Sequence, residues 1–491
     1  MTAQARQPNQ LLRAARAGLS QVALAEQVNT EIYRATGRVA AISSKSISDW
    51  ERGWYTWPSK DARAALRSIF GKTDIELGFF KQRVGRAKNR PRQILSPYFP
   101  LEDLMGAQVG TVQPLQFPAG KSFTGVEVVA HHCAAKRAGR DWLVVDPAND
   151  VVESLRRPDA RSVVVAVDDE RRFYVCDGRH FADHADHLAG PHPLPAANVI
   201  DDLTIGIIWA VINTDTALLA DDGQLEAYRA RLAPYDERLR SEARLREVPN
   251  LNAVSRRWLG SQFCVRHVAR HLDRLTGPAL LWSRERSGEE AASWLIWSHR
   301  YEYLHRISRR FTGIRHGFCV PESEVAGSPR YERVLLLLAT ALMEAFGVRV
   351  EVSAEPDLGQ VEGFVLAEEV IVADSFGDLG LWYVDVGASR SRTAKYRQLS
   401  RELAADAVNR QSTAAARLMA LAEYLDVPWQ WFQARCEELA VAGVDNLAHP
   451  RSRLLSTRGL NTAIRYVAYL ETLGDADSEL CGSGAAGGYC S

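Results

Sequence analysis

Three successive stretches near the beginning of the chain each open with a serine and close with a glycine. The pairs are Ser20 and Gly37, Ser43 and Gly53, and Ser59 and Gly71. Serine is favoured before a helix because its hydroxyl accepts a hydrogen bond from a free amide of the first turn. Glycine is favoured just after a helix because it adopts the left-handed conformation without strain. Together with a short apolar helix that ends near Gly18, these helix-start and helix-end signals predict a small all-α domain over residues 1–80.

The segment SSKSISDWERG, residues 43–53, has an unusual division of residue types. Ile47 and Trp50 lie three positions apart and would be buried on one side of a helix. The other side is built of short hydrogen-bonding residues rather than the usual long Glu and Lys. Short donors and acceptors can approach base edges in the major groove closely. A polar-faced helix that follows a Ser-capped helix is therefore typical of a helix-turn-helix unit.

The motifs of this region resemble one family of DNA-binding proteins. Leu19-Ser20-Gln21, Leu24-Ala25, and ISDWERG with a proline five residues beyond the glycine are similar to the Cro/lambda-repressor (XRE) class. Within that class, the segment resembles in particular the long-chain regulators of actinobacteria. The resemblance covers about 75 of the 491 residues. It implies a sequence-specific transcriptional regulator that binds double-stranded DNA as a homodimer and responds in some cases to a small-molecule effector.

The resemblance also implies which residues contact DNA. Gln21 is expected at a phosphate or a base edge, and the start of the third helix is expected in the groove. This chain has about a dozen extra residues between Ser20 and Ile47, which brings Arg34 and Arg38 within reach of phosphates. The full expected set is Ser20, Gln21, Arg34, Arg38, Ser43, Ser44, Lys45, Ser46, Ser48, Asp49, Arg52, Arg83, Arg86 and Lys88. Two alternatives stay open: residues 43–46 could form only a helix cap, and Trp54, Tyr55 and Trp57 favour packing over base stacking.

Charge is distributed very unevenly although the net charge is zero. Residues 1–95 hold 17 Lys and Arg against 7 Asp and Glu, whereas the rest holds 43 against 53. A basic head on an acidic body is typical of a protein whose one end meets a polyanion. The basic run over residues 81–96 is interpreted as a solvated linker that also contributes phosphate contacts.

Beyond the linker, the alternation of apolar residues predicts a multidomain α+β protein: an all-α head followed by a mixed β-rich and helical body. A hairpin is expected about Asp169-Glu170, a single strand over 363–373 and a long helix over 395–425. The expected divisions are a β-rich domain over 97–198, a helical domain over 199–330, an α+β domain over 331–475 and a flexible tail over 476–491.

Two groups of Cys and His in the body have spacings that metal ligands use. They are Cys176, His180, His184 and His187, and Cys264, His267 and His271. His180, His184 and His187 would share one face of a helix, as zinc ligands can. We favour a polar surface turn for the first group and core-edge packing for the second, and therefore expect neither a metal nor another cofactor.

The remaining motifs favour a regulator over an enzyme. The sequence has no HExxH, P-loop, GxSxG or GxGxxG pattern. Seven scattered cysteines do not form a disulfide framework, and no run is long enough for a membrane span, so we expect a cytoplasmic protein. The alternative is a ligand- or partner-binding protein, including a metal sensor, whose helix-turn-helix serves in assembly.

Overall fold

The computed structural model describes residues 9–52, 58–72, 77, 79, 109–139, 141–145, 151, 154–155, 161–185, 192–244, 250–284, 286–376, 381–387 and 389–470. The chain divides into two compact units, residues 1–92 and residues 93–491. The first is helical where described, and the second, here called the body, combines helices with two sheets. The expected α+β class is therefore confirmed.

Four helices form the first unit: α1 (Gln10–Ala15), α2 (Gln21–Thr36), α3 (Ser44–Glu51) and α4 (Lys60–Phe70). The serine caps lie where the sequence places them. Ser20, Ser43 and Ser59 accept hydrogen bonds from the amides of Ala23, Ser46 and Ala62 at 3.0–3.3 Å. Gly37 and Gly71 end α2 and α4 in the left-handed conformation. Gly53, Trp54, Tyr55, Trp57, the linker and most of the helix expected over residues 74–81 lie outside the described residues.

A single apolar core joins these helices. Leu24 and Val28 of α2, Ile47 and Trp50 of α3, and Leu66 of α4 are all buried in it. The ring of Trp50 meets that of Phe79 edge-on at 6.2 Å between centroids. Because α3 has only eight residues, this packing rather than intrinsic propensity holds it in place.

The smaller sheet of the body has six strands. They are β1 (Val112–Phe117), β2 (Val126–Arg137), β3 (Trp142–Val145), β4 (Ser162–Val167), β5 (Phe173–Asp177) and β6 (His192–Pro195). Their order is β5-β4-β2-β3-β6, with β1 paired to β2. β2 and β4 run parallel, and β4 and β5 form the antiparallel hairpin expected about Asp169-Glu170.

The larger sheet has seven strands. They are β7 (Arg240–Arg244), β8 (Leu280–Trp282), β9 (Arg315–Cys319), β10 (Arg349–Ser353), β11 (Phe364–Leu366), β12 (Val370–Phe376) and β13 (Leu381–Val386). Their order is β10-β9-β8-β11-β12-β13-β7. β8, β9 and β10 run parallel to one another, and the remaining pairs are antiparallel.

Twelve α-helices surround these sheets in the described part of the body. They are α5 (Gly178–Ala185), α6 (Asp202–Ala220), α7 (Asp222–Leu232), α8 (Ala253–Arg270), α9 (Gly288–Ile296), α10 (Ser298–Arg310), α11 (Glu322–Gly327), α12 (Arg330–Ala345), α13 (Arg390–Asp406), α14 (Ala414–Tyr424), α15 (Trp429–Ala442) and α16 (Arg458–Ala468). Apolar residues of α6 and α12 fill the main core. At Gly206 a Cβ would lie 2.6 Å from the Tyr331 carbonyl, so only glycine lets α6 approach so closely there.

Several expected elements of the body differ from the observed ones. The stretch expected as one strand over 363–373 is the hairpin of β11 and β12, and the helix expected over 395–425 is two helices, α13 and α14. The expected helical stretch 199–330 also supplies β7, β8 and β9, so the expected boundary at residue 330 passes through the larger sheet. These strands have three to five residues, which is too short for a clear alternation pattern.

One helix in the described part of the chain, α6, is long and apolar enough to cross a membrane. Most of its surface is buried inside the protein, as in the core helix of a folded domain.

Candidate nucleic-acid interface

Residues 37–43 connect α2 to α3 in the first unit. The connection is fixed at its end by Asn29 of α2. The Asn29 amide donates to the Ile42 carbonyl at 2.8 Å, and its oxygen accepts from the Ile42 amide at 3.0 Å. This pair of hydrogen bonds holds the chain just before α3 against the side of α2.

Helix α3 has a buried side and an exposed side. Ile47, Trp50 and Glu51 are buried, with at most 6% of each residue exposed. At 100° per residue, Lys45, Ser48, Asp49 and Arg52 project to the opposite side, and Lys45 and Arg52 are exposed. We call these four residues the outer face of α3. They are spaced i, i+3, i+4 and i+7, so they form one continuous strip.

Two serines that were expected to face the groove form the cap of α3. Ser43 accepts from the Ser46 amide at 3.3 Å, and the Ser46 hydroxyl accepts from the Ser43 amide at 3.3 Å. This reciprocal pair is a capping box, with serine where Glu or Gln is common. Both hydroxyls are engaged within the helix cap, which leaves Ser44 and the outer face of α3 as the polar surface open to a ligand.

Glu51 is a buried carboxylate that ties three helices together. Its two oxygens accept from Arg16 Nε at 2.5 Å and from Gln21 Nε2 at 2.8 Å, and Arg13 Nε lies 3.7 Å away. Its backbone carbonyl accepts from the Asn9 amide at 2.9 Å. Gln21, expected at a phosphate or a base edge, thus has its side chain engaged with Glu51 in this structure.

The other expected DNA contacts of the first unit lie just before α2, on α2 and on the connection that follows it. Ser20 is exposed and caps α2, and Arg38 is exposed on the connection after α2. Arg34 is also exposed and forms a surface ion pair with Glu31 at 2.8 Å. Such pairs contribute little to stability, so the guanidinium can exchange Glu31 for a phosphate at small cost. Arg83, Arg86 and Lys88 lie outside the described residues.

Only two members of the first Cys/His group, Cys176 and His180, have side chains in the part of the body that the structure describes. Cys176 is buried in β5, and burial raises the pKa of its thiol. His180 lies on α5, whereas His187 falls outside the described residues. The segment that was expected to be a polar surface turn forms helix α5 over Gly178–Ala185.

In the second group the rings of His267 and His271 lie together, with centroids 5.3 Å apart, whereas Cys264 has other charged neighbours. His267 Nδ1 lies 3.0 Å from the Ser241 hydroxyl, and its Nε2 meets the Arg238 carbonyl. Burial lowers the pKa of His267. Burial raises the pKa of the Cys264 thiol, which lies near Asp374 and Arg300 instead. Among the described residues no group of three or more His, Cys, Asp or Glu is placed to hold a metal ion.

Sequence reasoning missed the buried ion pairs of the body. Arg161 donates to Asp215 at 2.5 Å and to Asp177 at 3.2 Å, with all three side chains almost fully buried. A buried guanidinium is tolerated only with such partners. No local pattern could have indicated this cluster, because Arg161 and Asp215 are 54 positions apart.

Comparison of the whole chain with protein-family models, with curated proteins and with solved structures finds no match. The resemblance to the XRE class consequently rests on the short motifs of residues 19–58 alone.

Proposed function

We propose that the chain is a sequence-specific DNA-binding transcriptional regulator. The observation that carries the proposal is the outer face of α3. It presents two cations, Lys45 and Arg52, and two short polar side chains, Ser48 and Asp49, on the side of α3 opposite the buried Ile47 and Trp50. Helix α3 would be the second helix of a helix-turn-helix. A helix of this kind can lie in the major groove with its side chains at base edges.

The side chains of the outer face suit base reading. Lys45 and Arg52 can donate to the O6 and N7 atoms of guanine, and Asp49 can accept from the amino group of cytosine. Asp49 would repel phosphates, so its place beside two cations favours contact with bases over contact with the backbone alone.

The charge of the chain supports the same proposal. The excess of cations in residues 1–95 attracts a polyanion, and each phosphate contact releases counterions. Arg34, Arg38 and the basic linker would supply these sequence-independent contacts. The acidic body would dimerise and receive a signal, such as a small-molecule effector, in the cytoplasm.

The proposal is tested by selecting genomic DNA with the full-length protein at 50 and 200 mM salt and sequencing the bound fragments. We expect a recurrent pair of half-sites about one helical turn apart, because a two-fold dimer repeats its contacts at that spacing. Recovery of fragments without any common sequence would overturn the proposal of specific reading. Recovery of no DNA at either salt concentration would favour the alternative of a helix-turn-helix used in protein assembly.

A further inference from the structure

The larger sheet of the body ends at β7, whose outer edge has no pairing strand in the described part of the chain. On its inner side, the Val386 amide of β13 donates to the Leu239 carbonyl at 2.7 Å. In an antiparallel ladder the bonded residues alternate, so Ser241 and Ala243 also exchange their bonds with β13. Arg240 and Glu242 therefore direct their N–H and C=O groups away from β13, toward the open edge.

Three other strand edges in the body are closed. Pro193 and Pro195 stand on the outer side of β6, where they supply no amide. The Asn409 side chain covers β10 with hydrogen bonds of 2.9 and 3.0 Å to its backbone. The chain at Asn198 and Ile200 bonds to β5 at 2.8 Å. An exposed edge is a template for pairing with another strand, and among the residues that the structure describes none closes β7 in these ways.

The side chains of β7 are divided between its two faces. Ser241 and Ala243 are buried, and Ser241 meets His267 of α8. Arg240 and Glu242 lie on the other face, with 73% and 45% of their side chains exposed. Their charged atoms are 3.8 Å apart, which is a weak surface pair that another partner can replace.

We propose that β7 is the surface through which two copies of this chain dimerise, by antiparallel pairing of β7 with β7 about Ser241. In that register Arg240 of each copy lies opposite Glu242 of the other. Both residues direct their backbone groups outward, so each such pair exchanges two hydrogen bonds and adds an ion pair. The seven-stranded sheets of the two copies then form one continuous sheet.

Backbone geometry and charge select the same register. A shift of the two-fold axis onto Glu242 keeps outward groups opposite one another but places glutamate against glutamate, which is unfavourable. A shift by one residue in the pairing sets outward-directed groups opposite inward-directed ones and forms no ladder. This interface rests on the part of the proposed function in which the body dimerises, and it does not depend on what α3 contacts.

The test is sedimentation of the full-length protein over a range of micromolar concentrations at low salt. Wild type should have twice the mass of one chain. Arg240→Glu and Glu242→Arg should each weaken the dimer at least tenfold, because each places like charges opposite one another. The double variant exchanges the two charges and should restore the dimer. Arg306→Glu, an exposed charge reversal on α10, is the matched control and should leave the dimer unchanged.

A monomeric wild type would overturn the interface, as would a dimer that persists unchanged in both single variants or a double variant that stays monomeric. Hydrogen exchange provides a second measurement that needs no variant. The amides of Arg240 and Glu242 should exchange more slowly as the protein concentration rises, and equal rates at all concentrations would contradict the pairing. DNA binding is measured separately: a monomeric wild type that binds DNA would refute this interface and leave the reading role of α3 intact.

Discussion

The Gln21 side-chain amide donates a 2.8 Å hydrogen bond to the Glu51 carboxylate, which joins the first residue of α2 to the last residue of α3. Arg16 holds the same carboxylate at 2.5 Å, and Glu51 is 1% exposed. A buried charge with two donors from neighbouring elements fixes the position of the end of α3 against α2. The orientation of the outer face of α3 depends on this position.

Replacement of Glu51 by Gln should therefore destabilise the first unit. The substitution removes the buried negative charge and leaves Arg16 without its ionic partner, for which we expect a loss of about 2–4 kcal/mol. The measurement is hydrogen exchange of the α2 and α3 amides in the full-length protein. Glu26→Gln, an exposed site on α2, is the control and should change the exchange rates little. Equal protection in Glu51→Gln and wild type would show that the carboxylate does not hold the helices.

The connection before α3 should depend on Asn29. Asn29→Ala removes both hydrogen bonds to Ile42 and should cost about 1–2 kcal/mol, since it leaves two partly buried backbone groups without these partners. Asn29→Asp keeps the acceptor for the Ile42 amide but sets a carboxylate oxygen against the Ile42 carbonyl oxygen, so it should also destabilise the connection. The readout is urea unfolding followed by the fluorescence and hydrogen exchange of the first unit. Identical stability of all three proteins would contradict this role.

Arg52 should contribute to DNA affinity in a salt-dependent way. If its guanidinium contacts a phosphate, Arg52→Ala should weaken binding to all sequences alike and reduce the slope of log affinity against log salt by about one. If it reads guanine, the loss should be confined to sequences that carry that base. Lys72→Ala, an exposed cation just after α4, is the control. An Arg52→Ala protein with unchanged affinity and slope would remove this residue from the interface.

The helices of the first unit could be predicted from the sequence because their signals are local. Ser20, Ser43 and Ser59 each bond to an amide three residues away, so each cap can be recognised from residues that are close together in the sequence. The hydrogen-bond donors to Glu51 could not be predicted, because they are 30 and 35 positions distant. The DNA contact expected of Gln21 comes from the family resemblance, whereas its hydrogen bond to Glu51 is visible only in the structure.

Strands β7, β8 and β9 of the larger sheet could not be predicted from the sequence for a related reason. RSEAR in β7 has charged residues at its outward positions and no large apolar residue at its inward ones. It pairs with β13 across more than 130 positions, so no short-range pattern marks either its type or its neighbour. The division into helical and α+β stretches followed from long helices, which dominate the periodicity of that region.

The body should show a pH-dependent stability that involves Glu332 of α12. Burial, reinforced by the nearby Glu289 carboxylate, raises the pKa of Glu332 from 4.5 to about 7. Because the folded state then binds the proton more tightly than the unfolded state, the free energy of unfolding falls as pH rises through this window. Glu332→Gln cannot ionise, so it should gain about 1–3 kcal/mol over wild type between pH 5 and pH 8.

Urea unfolding at the two pH values measures this difference. Glu302→Gln on the exposed side of α10 is the control and should show no such trend. A difference between Glu332→Gln and wild type that is the same at pH 5 and pH 8 would contradict the assignment.

The outer face of α3 is tested most directly by the DNA motif that the full-length protein selects from a random pool. Wild type, Lys45→Ala, Asp49→Ala and the control Lys72→Ala are compared under the same salt concentration. We expect wild type and the control to select the same motif, and each α3 variant to lose discrimination at its own base position within that motif. A motif that is identical in all four proteins, or no motif for wild type, would contradict the reading of bases by α3.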